Sequence, residues 1–219
     1  MSLAAGTRLG PYEILAKLGE GGMGQVYHAH DTRLERTVAI KIVRTDFTER
    51  FQREARLASR LGHPNTIQVY DYGRAPDGRL YLAMEYVEGL NLGQLVTLQH
   101  PLPLGRIVFI LKQIAGALDE AHQAGLLHQD LKPSNIMITC RGAIADVVKV
   151  LDFGTASQMS GEGEDVTRSD QILGTPAFMA PERIGPPKEL DPRSDIYSFG
   201  AVAFHLITGR HVFEGDGPT

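Results

Sequence analysis

The sequence is poor in cysteine, in excess positive charge and in long apolar runs, and each shortage removes a class of explanation. Cys140 is the single cysteine among 219 residues. No internal disulfide can form, and a reduced, cytoplasmic setting is the default expectation. The formal net charge is −4 at pH 7, which offers no basic footprint for nucleic acid or an anionic membrane surface. The best candidate for a membrane span, Ile107 to Leu118, is interrupted by Lys112 and Gln113. It is too short to cross a bilayer and reads as a buried core helix. The opening, MSLAAGTRLGPYEIL, is too polar and too broken for a signal peptide. With 42% hydrophobic residues, the chain can build one large domain or two small lobes around an apolar core.

The first third reads as strand-rich. PYEILAKLG and GQVYHAHD flank a glycine cluster, and RTVAIKIV is a strong β run. In TERFQREARLASRL, Phe51, Ala55, Ala58 and Leu61 recur at helical spacing, with Gly62 and Pro64 marking the stop. TIQVYDYGR and GRLYLAMEYV predict two strands around a turn at APDG. After Glu88 and Gly89 the texture changes. LNLGQLVTL, LGRIVFILKQIAGALDEAHQAG and SDIYSFGAVAFHLITG predict helices, with strand-like NIMIT and VVKVLDF between them. A β-rich first lobe therefore precedes a mainly helical second lobe, with a hinge near Glu85 to Gly89. The acidic, Ser- and Gly-rich SQMSGEGEDVTRSD predicts a mobile loop.

Several constellations carry chemistry. GEGGMGQV fits a glycine-rich pattern through Gly19, Gly21, Gly24 and Val26, in which backbone N–H groups can approach phosphate oxygens. A plain hairpin turn explains the same glycines equally well. A dinucleotide site fits poorly, because no helix opens after the third glycine. Lys41 sits in the apolar VAIK, where an ammonium needs a partner or an edge strand from which to reach water. Glu54, on the following helix, offers the partner. In HQDLKPSN, Asp130 can accept a proton from a hydroxyl, Lys132 can neutralise a transferring phosphoryl group, and Asn135 can ligate a metal through its amide oxygen. Asp152 of LDFG adds a carboxylate suited to Mg²⁺ beside nucleotide phosphates.

Taken in order, GEGGMGQV, VAIK, Glu54, HQDLKPSN, DFG, GTPAFMAPE and DPRSDIYSFG resemble the eukaryotic-type (Hanks-type) serine/threonine protein kinase catalytic domain, in its bacterial branch. The resemblance covers nearly all of residues 12 to 215. It implies an α+β, bilobal protein-kinase fold. An antiparallel five-stranded sheet plus one helix would form the N-lobe and hinge (1–88). A mainly helical C-lobe (89–219) would lack its last helices, as in a fragment of a longer protein.

The same resemblance implies the roles. The segment Gly19, Glu20, Gly21, Gly22, Met23 and Gly24 would cover the ATP phosphates. Lys41 would contact the α- and β-phosphates and pair with Glu54. Val26, Ala39 and Met137 would sandwich the adenine, with Met84 as gatekeeper and the backbones of Glu85 and Val87 bonding the adenine edge. Asp130 is the implied catalytic base, Lys132 the phosphate stabiliser, and Asn135 and Asp152 the Mg²⁺ ligands. Thr175 of GTP and the DLKPSN form imply Ser/Thr rather than Tyr acceptors on protein substrates. The cofactors implied are ATP and Mg²⁺. A cytoplasmic domain follows, or the cytosolic part of a membrane-anchored kinase.

Two departures modify this expectation. Gln129 replaces the Arg that often precedes the catalytic Asp and reads an activation-segment phosphate. Gln cannot form the charge-assisted bidentate pair, so regulation by Thr167 or Ser169 is expected to be weak while catalysis is intact. The Arg that the family's later helices pair with Glu182 is also missing. Glu182 is thus expected to lack that partner, and the apolar face of the 195–208 helix to be partly uncovered, which invites aggregation or a homodimer. The eight histidines form no close metal-binding cluster, and Cys140 is read as a bystander in a turn. His128 is expected to pack on Phe153, and Asp195 to accept hydrogen bonds from the HQD backbone. The rival readings are a pseudokinase, meaning a nucleotide-binding scaffold without turnover, and a phosphotransferase acting on non-protein substrates. Retention of Lys41, Asp130, Asn135 and Asp152 argues against the first, and GTPAFMAPE against the second.

Overall fold

The structure, a computed structural model, describes residues 2–21, 24–43, 49–75, 78–153, 176–183 and 191–213. Gly22, Met23, Gly154, the 157–170 loop with Thr167 and Ser169, and Thr175 lie outside them. The chain divides into two compact units, Met1–Gly62 with Ile67–Val87, and His63–Thr66 with Glu88–Thr219.

The first unit is an antiparallel sheet with one helix. Its strands are β1 (Arg8–Leu9), β2 (Tyr12–Gly21), β3 (Gly24–Asp31), β4 (Arg36–Val43), β5 (Val69–Arg74) and β6 (Leu80–Glu85), and its helix is α1 (Glu49–Ala58). The sheet has six strands in the order β1-β2-β3-β4-β6-β5. The sixth, unexpected strand is β1. It pairs Arg8 with Glu13 and Leu9 with Tyr12 across Gly10, which holds φ +56, a left-handed conformation that glycine takes without a Cβ clash. A two-residue strand beside a Gly-Pro turn shows no alternation that a sequence reading could detect.

Strand alternation separates the sheet's faces. Tyr27, Ala29, Val38, Ile40, Ile42, Tyr81 and Ala83 join Leu9, Tyr12 and Ile14 in one buried core. The opposite face carries the register rows Val26–Lys41–Leu82 and His28–Ala39–Met84. Lys41 is therefore on a central strand, not an edge. The glycine cluster closes the β2–β3 hairpin, with Gly19 opposite Val26 and Gly21 opposite Gly24. Gly24 holds φ +134, and a Cβ there would run into the carbonyl oxygen of Ile42, so no other residue fits without displacing β4. In α1, Ala55 and Ala58 are buried, as is Leu61 just beyond it.

The second unit holds β7 (Leu90–Asn91), α2 (Leu92–Gln99), α3 (Leu104–Gln123), β8 (Ile136–Arg141), β9 (Ile144–Val150) and α4 (Pro192–Thr208). Strands β7, β8 and β9 form a small sheet. Asn91 caps α2 with a full capping box through Gln94, which satisfies backbone donors left open at a helix start. α3 buries Ile107, Ile110, Ile114, Ala117, Leu118 and Ala121, a three-four spacing that lays one apolar stripe on the core. Among the described residues no helix is long and apolar enough to cross a membrane. Cys140 is exposed and lies within β8 rather than in a turn. α4 starts on the Asp191 cap with Pro at its first turn and ends at Gly209, φ +71.

Residues 63–66 interrupt the first unit in sequence and belong to the second. Asn65 donates to the Val148 carbonyl and to Gln113 Oε1. The Asn65 carbonyl accepts from Val150 N–H at 2.7 Å. The buried Lys149 ammonium donates to the Thr66 carbonyl at 3.2 Å. These bonds seat the segment against β9, the strand that leads into Leu151 and Asp152.

Candidate active site

The second unit assembles HQDLKPSN around buried polar groups. His128 is fully buried, and its ring meets Phe153 with centroids 4.9 Å apart. Burial pushes the imidazole below its ordinary pKa, because desolvation disfavours the charged form. The neutral ring accepts the Asp130 N–H at Nδ1, 3.2 Å away, so Nε2 carries the proton.

The loop is anchored from below by Asp195, near the start of α4 and 1% exposed. Its carboxylate accepts the N–H groups of His128 at 2.8 Å and Gln129 at 2.7 Å. His122, at the end of α3, contacts the same carboxylate through Nε2 at 2.8 Å. Burial alone would raise the Asp195 pKa, but the hydrogen bonds from His122 and the loop backbone, with the nearby His128, outweigh it and hold the group below the usual carboxylate value. Gln129 occupies the left-handed region at φ +67, a conformation that costs a non-glycine residue about 1–3 kcal/mol. Its bond to Asp195 helps to fix that turn. Sequence reasoning identified Asp195 as the anchor and missed His122, whose position at the far end of a helix gives no local signal.

Asp130, 9% exposed, receives Lys132 Nζ at 2.7 Å and Asn135 Nδ2 at 3.1 Å, both on Oδ2. Asn135 Nδ2 also donates to the Asp130 carbonyl at 2.8 Å. Since the amide nitrogen is turned toward Asp130, the amide oxygen faces the other way. The Asn135 carbonyl accepts Leu151 N–H at 2.9 Å, tying this loop to the residue before Asp152. Asp152 holds φ +61, a turn that redirects the chain after β9 while Phe153 is buried. Among the described residues no group of three His, Cys, Asp or Glu side chains could hold a metal. One amide oxygen and one carboxylate suit Mg²⁺, which takes oxygen ligands and completes its shell with phosphate and water. Met137, half-buried in β8, pairs with Asn91 and Lys149.

The first unit presents the other expected residues. Lys41 is 3% exposed between Val26 and Leu82 on the sheet face opposite the core. Glu54, half-buried on α1, has Oε2 shielded from solvent. Neither charge is stable in such surroundings without compensation. Ala39 and Met84 are buried in the neighbouring row, and Val26 is half-buried. Glu85 donates its N–H to the Gln68 carbonyl at 2.8 Å. Gly19 and Glu20 lie on the exposed outer part of β2. Within this unit Val26, Ala39, Lys41 and Met84 share one face. Within the other, Asp130, Lys132 and Asn135 share one hydrogen-bond network.

No Arg pairs with Glu182 among the described residues, and Ser194 Oγ instead donates to its Oε1 at 2.6 Å. That bond holds the half-buried carboxyl below its ordinary pKa. Ser194, in the first turn of α4, reaches back to Glu182, a proximity that their sequence separation conceals.

The protein kinase domain family matches residues 12–219. The chain belongs to that family. It is 45% identical over 213 residues to the serine/threonine-protein kinase pkn3 of Myxococcus xanthus, covering 94% of this chain and 39% of that protein. It is 41% identical over 216 residues to the serine/threonine-protein kinase PknB of Mycolicibacterium smegmatis, covering 94% of this chain and 34% of that protein. The chain thus spans between a third and two fifths of the length of these curated relatives. The crystal structure of the Mycobacterium tuberculosis PknI kinase domain superposes with a TM-score of 0.76 at 33% identity, covering 100% of this chain and 82% of that one. The kinase domain's fold is α+β, with its antiparallel sheet in the first unit and most of its helix in the second.

Proposed function

We propose that this kinase domain transfers the γ-phosphoryl group of ATP to Ser and Thr hydroxyls of proteins, itself included, in an Mg²⁺-dependent reaction. The observation that supports this most is the bonding of Asp130, Lys132 and Asn135 on one carboxylate, with Asn135 tied through Leu151 to Asp152. Residues 1–88 act as the N-lobe and hinge, and 89–219 as the C-lobe.

In this reading Asp130 accepts the proton of the substrate hydroxyl as its oxygen attacks the γ-phosphorus. The bond from that phosphorus to the β–γ bridging oxygen breaks, releasing ADP. Lys132 sits on Asp130 Oδ2 and faces the transferring group, where it offsets the charge spread over the phosphoryl oxygens. Asn135 and Asp152 would hold Mg²⁺, which would supply neutralising charge to the phosphates. Lys41, paired with Glu54, bonds the α- and β-phosphates. The Gly19–Gly24 backbone covers those phosphates. In the first unit Val26 and Ala39 pack on adenine, Met84 limits the pocket behind it, and the backbones of Glu85 and Val87 bond its edge. Thr175 belongs to the acceptor platform. Positioning and charge, rather than covalent chemistry, carry the rate.

The setting is cytoplasmic, where ATP is available and Cys140 stays reduced. Ile196 and Ile207, 56% and 55% exposed on α4, give a second copy an apolar face, which sedimentation of the chain would test. For the reaction itself, labelled [γ-³²P]ATP is offered to the chain alone and with a generic basic protein. Transfer to both, lost in Lys41→Met, supports the reading. Nucleotide binding with no transfer at all would replace it with a scaffold.

A further inference from the structure

The imidazole of His28 and the phenol ring of Tyr86 lie with centroids 4.7 Å apart and planes inclined by 31°. Tyr86 falls in the hinge segment, and neither ring is given a role by the motifs of the sequence. Strand β4 runs between their strands, so about 10 Å of backbone spacing separates β3 from β6. The rings close that gap over β4, where the register places the small Thr37 and Ala39 on this face, with Lys41 further along it. His28 lies in the register row of Ala39 and Met84, on the face opposite the apolar core. Tyr86 follows β6 directly and stands between Glu85 and Val87, the residues whose backbones the phosphotransfer reading assigns to the adenine edge. Glu85 is fixed on one side by its N–H bond to Gln68. The His28 ring supplies a hold on the other side, against the side chain of the next residue. Both rings are half-buried, so the contact has no role in filling the core.

We propose that the His28–Tyr86 ring pair is a positioning device that holds segment 85–87 in register with the adenine, so that His28 sets nucleotide affinity without taking part in phosphoryl transfer. This rests on the phosphotransfer reading. An aromatic contact of this geometry contributes about 1 kcal/mol, which corresponds to roughly five-fold in affinity.

The test measures KM for ATP, kcat and calorimetric Mg·ADP affinity in the 219-residue chain and three variants. His28→Ala and Tyr86→Leu are each expected to raise KM and the Kd for Mg·ADP about five-fold, with kcat within two-fold of wild type. His28→Phe, which keeps a ring, is expected to restore both. An unchanged Kd in His28→Ala and Tyr86→Leu, a loss confined to kcat, or failure of His28→Phe to restore affinity overturns the assignment. Should His28→Ala not fold, Tyr86→Leu and His28→Phe decide it alone. A wild-type chain that binds no Mg·ADP overturns the phosphotransfer reading itself, and this assignment with it. Normal wild-type binding with no difference among the variants overturns this assignment only.

Discussion

Replacing Asp195 by Asn tests whether the catalytic loop hangs from a charged acceptor. The carboxylate receives two backbone N–H groups and the His122 ring, all at 2.7–2.8 Å, in a site 1% exposed. An amide keeps one acceptor oxygen and turns an NH₂ toward a backbone donor. One charge-assisted bond is lost, and one buried donor is left unmatched. Together these cost roughly 3 kcal/mol. For a chain of this size each kcal/mol lowers Tm by about 2–4 °C, so the melting transition should fall by about 6–12 °C. Activity should fall further than stability. Gln129 would lose part of the support for its left-handed turn, and Asp130 follows it directly. A misplacement of about 1 Å at such a group costs on the order of 100-fold. Differential scanning calorimetry and transfer of labelled phosphate, both well below the variant's Tm, measure the two effects. A variant melting within 2 °C of wild type with undiminished transfer would refute the anchoring argument.

Three other outcomes follow from the same geometry. His128 is buried neutral with its pKa lowered, so unfolding takes up a proton once the pH falls below the unfolded value near 6.5. Stability is complete above that pH and declines below it toward the folded value, by up to about 1.4 kcal/mol per pH unit. Urea midpoints at pH 7.5 and 5.5 should therefore diverge less in His128→Asn than in wild type. Tyr27→Phe removes a hydroxyl that accepts Leu3 N–H at 2.9 Å and donates to Gln25 Oε1 at 2.6 Å, and should lower urea stability by about 1.5 kcal/mol. With Gln129 in place of an Arg, the double substitution Thr167→Ala and Ser169→Ala should cut kinase activity by less than ten-fold, and a loss of several orders would show that loop phosphorylation does switch this domain.

The residues that the phosphotransfer reading calls on stood out as candidates because they sit in short, ordered motifs. Asp130, Lys132 and Asn135 fall within one segment, and their mutual bonds follow from that closeness. The anchor Asp195 was legible too, because DPRSDIYSFG is as recognisable as the loop it supports. What could not be read depends on elements distant in sequence. RTVAIKIV announces a strand but not whether that strand is central. Only pairing on both sides with β3 and β6 settles that Lys41 cannot snorkel from an edge. His122 meets Asp195 across 73 positions, and Ser194 meets Glu182 across 12, so neither carries a pattern. The ring contact of His28 with Tyr86 spans an intervening strand. Gln129 takes a left-handed backbone that its residue type does not favour. A sequence rule would have placed glycine or asparagine there, and the surrounding hydrogen bonds override that preference.

The central claim is that Asp130 serves the transfer step rather than the binding of nucleotide. Single-turnover transfer from [γ-³²P]ATP in Asp130→Asn, with Mg·ADP affinity measured on the same preparation, tests it most directly. General-base contributions run to about 10²–10⁴-fold, so transfer should drop by about 10³-fold while Mg·ADP binds within three-fold of wild type. Transfer at the wild-type rate, or a loss accounted for entirely by weaker nucleotide binding, would contradict it.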